Sequence, residues 1–161
     1  MTPDSSCVEV TLDSDLKNVE VAEQITRRVA STAGFDEDDQ QRIEMAVHES
    51  MINAIWHGNK NDPGKSVWLQ FKVHRDRLEI RIRDQGKGFN PNQIPDPLES
   101  DNLLNVSGRG IFLIRAFMDE FRVENLNGLG TEVTLIKRLN SGIQTKQGGA
   151  DREHESHNTT S

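Results

Sequence analysis

The sequence predicts an α+β fold of two layers, an α/β sandwich in which a mixed, mostly antiparallel sheet of about five strands carries helices on one face. Three observations predict it. Several short segments alternate apolar and polar residues, the two-residue period of a strand with one buried side. Two longer segments before residue 60 repeat apolar residues every three to four positions, the period of an amphipathic helix. Along the chain these segments read β-α-α-β-β-loop-α-β-β, and alternating strands need cover on one face only. A length of 161 residues suits one domain. We place it at residues 1–139 and expect 140–161 to be a polar tail.

The first strand runs from Cys7 to Leu12, with Val8, Val10 and Leu12 on its buried side. A helix follows, capped by Asp13 or Ser14, with Leu16, Val19, Ala22, Ile25 and Val29 at helical spacing and Gly34 as its stop. Carboxylates between Asp36 and Asp39 favour the start of a second helix, where the dipole is positive, and this helix runs to about His57 before Gly58 and Asn59. After a polar turn, Val67, Leu69, Phe71 and Val73 alternate, and so do Leu78, Ile80 and Ile82, which predicts a hairpin ending at Asp84. From Gln85 to Ser107 no period is sustained; such length predicts a functional lid. A third helix near Arg109–Met118 turns Ile111, Ile114 and Phe117 or Met118 inward. Strands around Phe121–Asn125 and Thr131–Lys137 join through Asn127-Gly128, a preferred hairpin turn. From Ser141 onward too little apolar surface remains to offset the entropy of ordering, which predicts disorder.

Composition excludes several function classes. No stretch approaches the ~20 consecutive apolar residues of a membrane helix, and the first residues lack the basic and then apolar run of a signal peptide, so a cytoplasmic location is expected. The single cysteine, Cys7, supports neither an internal disulfide nor a thiolate metal site. A net charge of −7 without a Lys/Arg block removes the counterion-release term, so no direct nucleic-acid contact is expected.

The residues suited to chemistry lie on the second helix and in three glycine-bearing segments. Glu49, Asn53 and His57 are spaced by four and form a polar row, while Ile43, Val47, Met51 and Ala54 fall on a neighbouring stripe. The row therefore borders the core, where a carboxylate can be tuned yet reached by a ligand; solvated helix residues would share that spacing. Asp84 ends a strand and is followed by Gly86 and Gly88, which let the backbone approach a ligand or simply turn. Ser107-Gly108-Arg109-Gly110 opens the third helix, where unpaired N–H groups suit phosphates and Ser107 also suits an N-cap. Gly130-Thr131 places a hydroxyl at the start of the last strand.

Taken in order, E-S-M-I-N-A-I-W-H-G at Glu49–Gly58, D-Q-G-K-G-F at Asp84–Phe89, S-G-R-G at Ser107–Gly110 and G-T at Gly130–Thr131 resemble the ATP-binding boxes of the gyrase, heat-shock-ninety, histidine-kinase and mismatch-repair ATPase superfamily. The short chain and the segment A-F-M-D-E-F at Ala116–Phe121 are similar to its anti-sigma-factor serine-protein kinases, over about Val8 to Leu139. The resemblance implies a Bergerat-type ATP-binding fold and the cofactors ATP and Mg²⁺. It makes Glu49 the general base toward a protein serine or threonine, and Asn53 the magnesium ligand. It gives Asp84 the adenine amino group with support from Thr131, Gly86 and Gly88 close passage beside the base, and Gly108, Arg109 and Gly110 the phosphates. Implied partners are a sigma factor, docking near Arg27 and Arg28 of the first helix, and a small anti-anti-sigma protein of the STAS type as substrate; relatives also pair as homodimers. Val106 stands where some relatives carry a basic lid residue, which keeps open a second reading: a nucleotide-gated module that sequesters a regulator without phosphoryl transfer.

Overall fold

A computed structural model describes residues 5–86 and 106–140, with the side chains of 106–108 left out of the description. Five strands, β1 (Ser5–Asp13), β2 (Ser66–His74), β3 (Arg77–Arg83), β4 (Glu120–Asn125) and β5 (Thr131–Arg138), form one sheet in the order β1-β2-β3-β5-β4. The expected mixed, mostly antiparallel sheet is antiparallel at each of its four pairings. Helices α1 (Asn18–Ala33), α2 (Glu37–Ile52) and α3 (Val106–Phe117) supply the second layer. The expected lid, with Gly88, and the expected tail from Ser141 lie outside the described residues.

Register explains why one face is buried. Val8, Phe71, Ile80, Leu135 and Phe121 stand side by side across the sheet, and Val10, Leu69, Ile82, Val133 and Val123 form the next such row. Because a strand alternates with period two, both rows point the same way. Against them pack Val19, Ala22 and Ala30 of α1, Ile43, Val47 and Met51 of α2, and Ile114 of α3. On the opposite face Arg83 grips Glu132 through two hydrogen bonds of 3.0 and 2.6 Å and lies 4.6 Å above the Trp68 ring.

Three expectations shift. Val8 is 43% exposed although it belongs to the inward row, because β1 is an edge strand at the margin of the helical cover. The first helix starts at Asn18, not after Asp13 or Ser14: Asp13 still pairs with Ser66, and the Ser14 N–H continues the ladder to the Lys65 carbonyl at 3.0 Å. Leu16 consequently precedes the helix and is exposed. The third helix starts at Val106, earlier than the expected start near Arg109, so Val106, Ser107 and Gly108 belong to it as well.

Helix ends follow local chemistry. Gly34 stops α1 in the left-handed region, φ 100°, and the Phe35 N–H returns to the Ala30 carbonyl at 3.2 Å. Asp36 caps α2 by accepting from the Asp39 N–H at 2.8 Å. Lys137 Nζ donates to the Phe117 carbonyl at 3.1 Å, fixing the C-terminal end of α3 to the sheet. Arg27 donates to Glu44 at 2.9 and 2.6 Å, joining α1 to α2, and this partnership raises its pKa.

Candidate nucleotide site

The site begins where α3 crosses α2. The inward stripe of α2, Ile43, Ala46, Val47 and Met51, is buried, which leaves Glu49 and Asn53 on the flank facing α3. A Cβ added at Gly110 would lie 2.8 Å from Glu49 Oε2 and 3.5 Å from Asn53 Nδ2, so glycine lets the helix approach a carboxylate and a carboxamide together. Asn53 is 7% exposed, and its Oδ1 is buried without a hydrogen-bond partner among the described residues. An unsatisfied buried acceptor is costly and suits a cationic ligand.

Beyond Ile52 the helix widens. Asn53–Gly58 forms a π-helical turn, closed by the Asn59 N–H donating to the Ala54 carbonyl at 2.8 Å. The four-residue polar row is therefore regular from Glu49 to Asn53 and rewound on the way to His57. His57 is half-buried, and desolvation, helped by Lys60, lowers its pKa. The wide turn delivers Gly58 to Asp84, where an added Cβ would lie 2.2 Å from Asp84 Oδ2.

Asp84 is 4% exposed at the exit of β3. Its Oδ1 accepts from the Gly86 N–H at 2.9 Å and the Thr131 N–H at 3.1 Å. Burial pushes its pKa up, opposed by those two bonds and by the charge of Lys65. Thr131 is 1% exposed, and its Oγ1 lacks a partner among the described residues. Gly86 passes so near that a Cβ would lie 2.0 Å from the Gly58 carbonyl oxygen, and Gly130, at φ 136°, would bring one to 2.0 Å from the Asp84 carbonyl oxygen. Asp84, Gly86 and Thr131 thus meet as expected, with Gly58 and Gly130 completing the enclosure. Glu49, Asn53 and Gly110 meet at the other end of the α2–π segment, and Arg109 beside them is exposed.

The sequence marks Gly58 and Asn59 as the end of the second helix and Gly130 as part of a box, and assigns none of the three to the site. Asn59 is fully buried and bonds to two distant segments. A glycine closing a helix and another opening a strand were the available signals; Asn59 had none.

A family described as the histidine kinase-like ATPase domain matches residues 12–137. The chain belongs to that family. It is 34% identical over 118 residues to the serine-protein kinase RsbW of Bacillus subtilis, covering 70% of this chain and 72% of the relative. It is 36% identical over 104 residues to the anti-sigma F factor of Anoxybacillus flavithermus, covering 63% and 71%. The crystal structure of the RsbU and RsbW domains of a Mycobacterium tuberculosis protein superimposes with a TM-score of 0.58 at 21% identity, over 83% of this chain and 32% of that one. This chain thus spans about a third of that longer protein, and the likeness concerns the fold.

Membership implies nucleotide use, and the residues present fit it. A buried carboxylate with Oδ1 already held by two N–H donors keeps Oδ2 as an acceptor for an amino group, and the Asn53 and Thr131 oxygens, without partners among the described residues, are further polar atoms suited to a ligand. Among the described residues no helix is long and apolar enough to cross a membrane.

Proposed function

We propose that the protein is an ATP-dependent serine/threonine protein kinase that acts as an anti-sigma factor, binding a sigma factor and phosphorylating a small anti-anti-sigma antagonist. The observation that carries it is the pairing of Glu49 with Asn53, whose buried Oδ1 lacks a partner among the described residues, under the close approach of Gly110. The names of the relatives, serine-protein kinase and anti-sigma F factor, support the same reading over the non-catalytic one.

Asp84 Oδ2 accepts from the adenine amino group, and Thr131 supports the same edge. Asn53 Oδ1 would hold Mg²⁺, which would supply positive charge to neutralise the phosphates. As an amide it is a weak ligand, so metal should bind together with ATP. Gly108 and Arg109 line the phosphate end. Glu49 takes the hydroxyl proton as the serine oxygen bonds to the γ-phosphorus and the bond to the β,γ-bridging oxygen breaks; ADP leaves and phosphoserine remains. Positioning and charge neutralisation supply most of the acceleration. A cytoplasmic location and a homodimer belong to the same proposal. Incubation with γ-labelled ATP, Mg²⁺ and a candidate antagonist should put acid-stable label on an antagonist serine or threonine; label that stays on this chain, or appears only as free phosphate, would refute the reading.

A further inference from the structure

We infer that Asn59 is a positioning residue that holds the Asp84 carboxylate in the orientation from which it reads a purine amino group, so base selectivity depends on a side chain outside the reading contact. The inference rests on the assignment of Asp84 to the base under the proposed function.

Asn59 is 0% exposed. A buried amide is tolerated when bonded, and this one is. Its Nδ2 donates to the Ser66 carbonyl at 3.1 Å, and its Oδ1 accepts from the Gln85 N–H at 2.7 Å. Its own N–H donates to the Ala54 carbonyl at 2.8 Å, and its carbonyl accepts from the Asp62 N–H at 3.1 Å. One residue therefore ties the π turn, the start of β2 and the exit of β3 together.

The bond to Gln85 matters most because of what flanks it. Gln85 is exposed, and it follows the last strand residue by two positions. On one side sits Asp84; on the other sits Gly86, whose N–H is one of the two donors gripping Asp84 Oδ1. Hydrogen bonds to an ionised carboxylate are about twice as strong as neutral ones, so losing this donor loosens the carboxylate. Releasing the Gln85 N–H frees the 84–85 peptide to tilt, and the next peptide, which carries the Gly86 N–H, moves with it. The contact between Gly86 and the Gly58 carbonyl blocks retreat in that direction but does not fix the peptide's tilt. A separate tie, the Ser66 N–H donating to Gln85 Oε1 at 2.8 Å, acts through the Gln85 side chain and does not set the backbone.

Calorimetry with ATP and with inosine triphosphate, which carries a carbonyl where adenine carries an amino group, separates positioning from general stability. Wild type should favour ATP by about tenfold or more, the expected worth of a hydrogen bond to a charged group. Asn59→Ala should bring that ratio close to unity while inosine triphosphate affinity changes less than about threefold, and Gln85→Ala should preserve the ratio. A merely structural role lowers both affinities together, so an unchanged ratio in folded Asn59→Ala overturns the inference alone. A wild type without preference overturns the assignment of Asp84, and the inference with it. Should Asn59→Ala not fold, amide exchange on the wild type decides: protection of the Gln85 N–H comparable to the sheet supports the bond, and exchange at the rate of an open loop overturns it.

Discussion

Replacing Gly58 with alanine puts a methyl group where the Asp84 carboxylate, the proposed reader of the base, stands. The added Cβ would lie 2.2 Å from Asp84 Oδ2, 2.4 Å from its Cγ and 3.0 Å from its Oδ1. Carbon–oxygen contacts are comfortable near ~3.5 Å, so the carboxylate must retreat by roughly 1 Å. Retreat carries Oδ1 out of range of the Gly86 and Thr131 N–H groups, now at 2.9 and 3.1 Å. A misplacement of ~1 Å can cost about a hundredfold, and we expect ATP affinity to fall by about that factor. Overpacking costs about 1–3 kcal/mol, partly offset by the better helix propensity of alanine, so a moderate fall in Tm is expected with the fold retained. Titration calorimetry and a thermal melt on the same sample check both figures. Folded Gly58→Ala binding ATP within about threefold of wild type would refute the argument, since the ~1 Å displacement would then carry no consequence for the nucleotide.

Other outcomes follow from the same contacts. Gly110→Ala should press a methyl group against Glu49 Oε2, 2.8 Å from the added Cβ, and lower phosphoryl transfer by about 10–100-fold, with ATP affinity within about threefold, because the flexible carboxylate yields while the nucleotide's contacts remain; steady-state kinetics with calorimetry checks the split. Asp84→Asn should abolish measurable ATP binding in calorimetry, since a donor then faces the adenine amino group. The same variant should leave the Tm at pH 7 no lower than wild type. Burial raises the Asp84 pKa, so the folded state binds its proton more tightly than the unfolded chain, and stability falls as pH rises from the usual carboxylate value through the raised one. Melting curves of wild type and Asp84→Asn against pH should therefore diverge within that window in favour of the variant and stay apart above it. His57 acts in the opposite sense: its lowered pKa makes stability fall as pH drops through the ordinary histidine value, a slope that His57→Gln should flatten.

The parts of the fold legible in the sequence are those written in local chemistry. Alternation fixed β2 and β3 because their inward residues, Leu69, Phe71, Leu78, Ile80 and Ile82, are buried where the period says they should be. Asn127 and Gly128 adopt φ 56° and 83°, the left-handed pair an Asn-Gly hairpin turn requires. Gly34, lacking a side chain, ends α1 at positive φ, and the Asp36 side chain caps α2. What escaped depends on partners far along the chain. The start of α1 shifted because Asp13 and Ser14 are claimed by Ser66 and Lys65. The exposure of Val8 follows from its strand's place at the sheet edge, which no period encodes. In the site, Glu49 and Asn53 could be singled out by their four-residue spacing on one helix flank, and Asp84 and Thr131 by the glycines near them. The π turn has no compositional mark, and Asn59 gains its meaning from Ser66 and Gln85, segments that meet it only after the sheet has formed.

In the proposed function Glu49 serves transfer of the terminal phosphoryl while Asp84 serves the base. Single-turnover transfer from γ-labelled ATP to the antagonist, compared between wild type and Glu49→Gln at saturating nucleotide, tests it most directly. A general base at Glu49 makes the variant's rate lower by about 10²–10⁴-fold with ATP affinity unchanged. Equal transfer rates in the two proteins would contradict it.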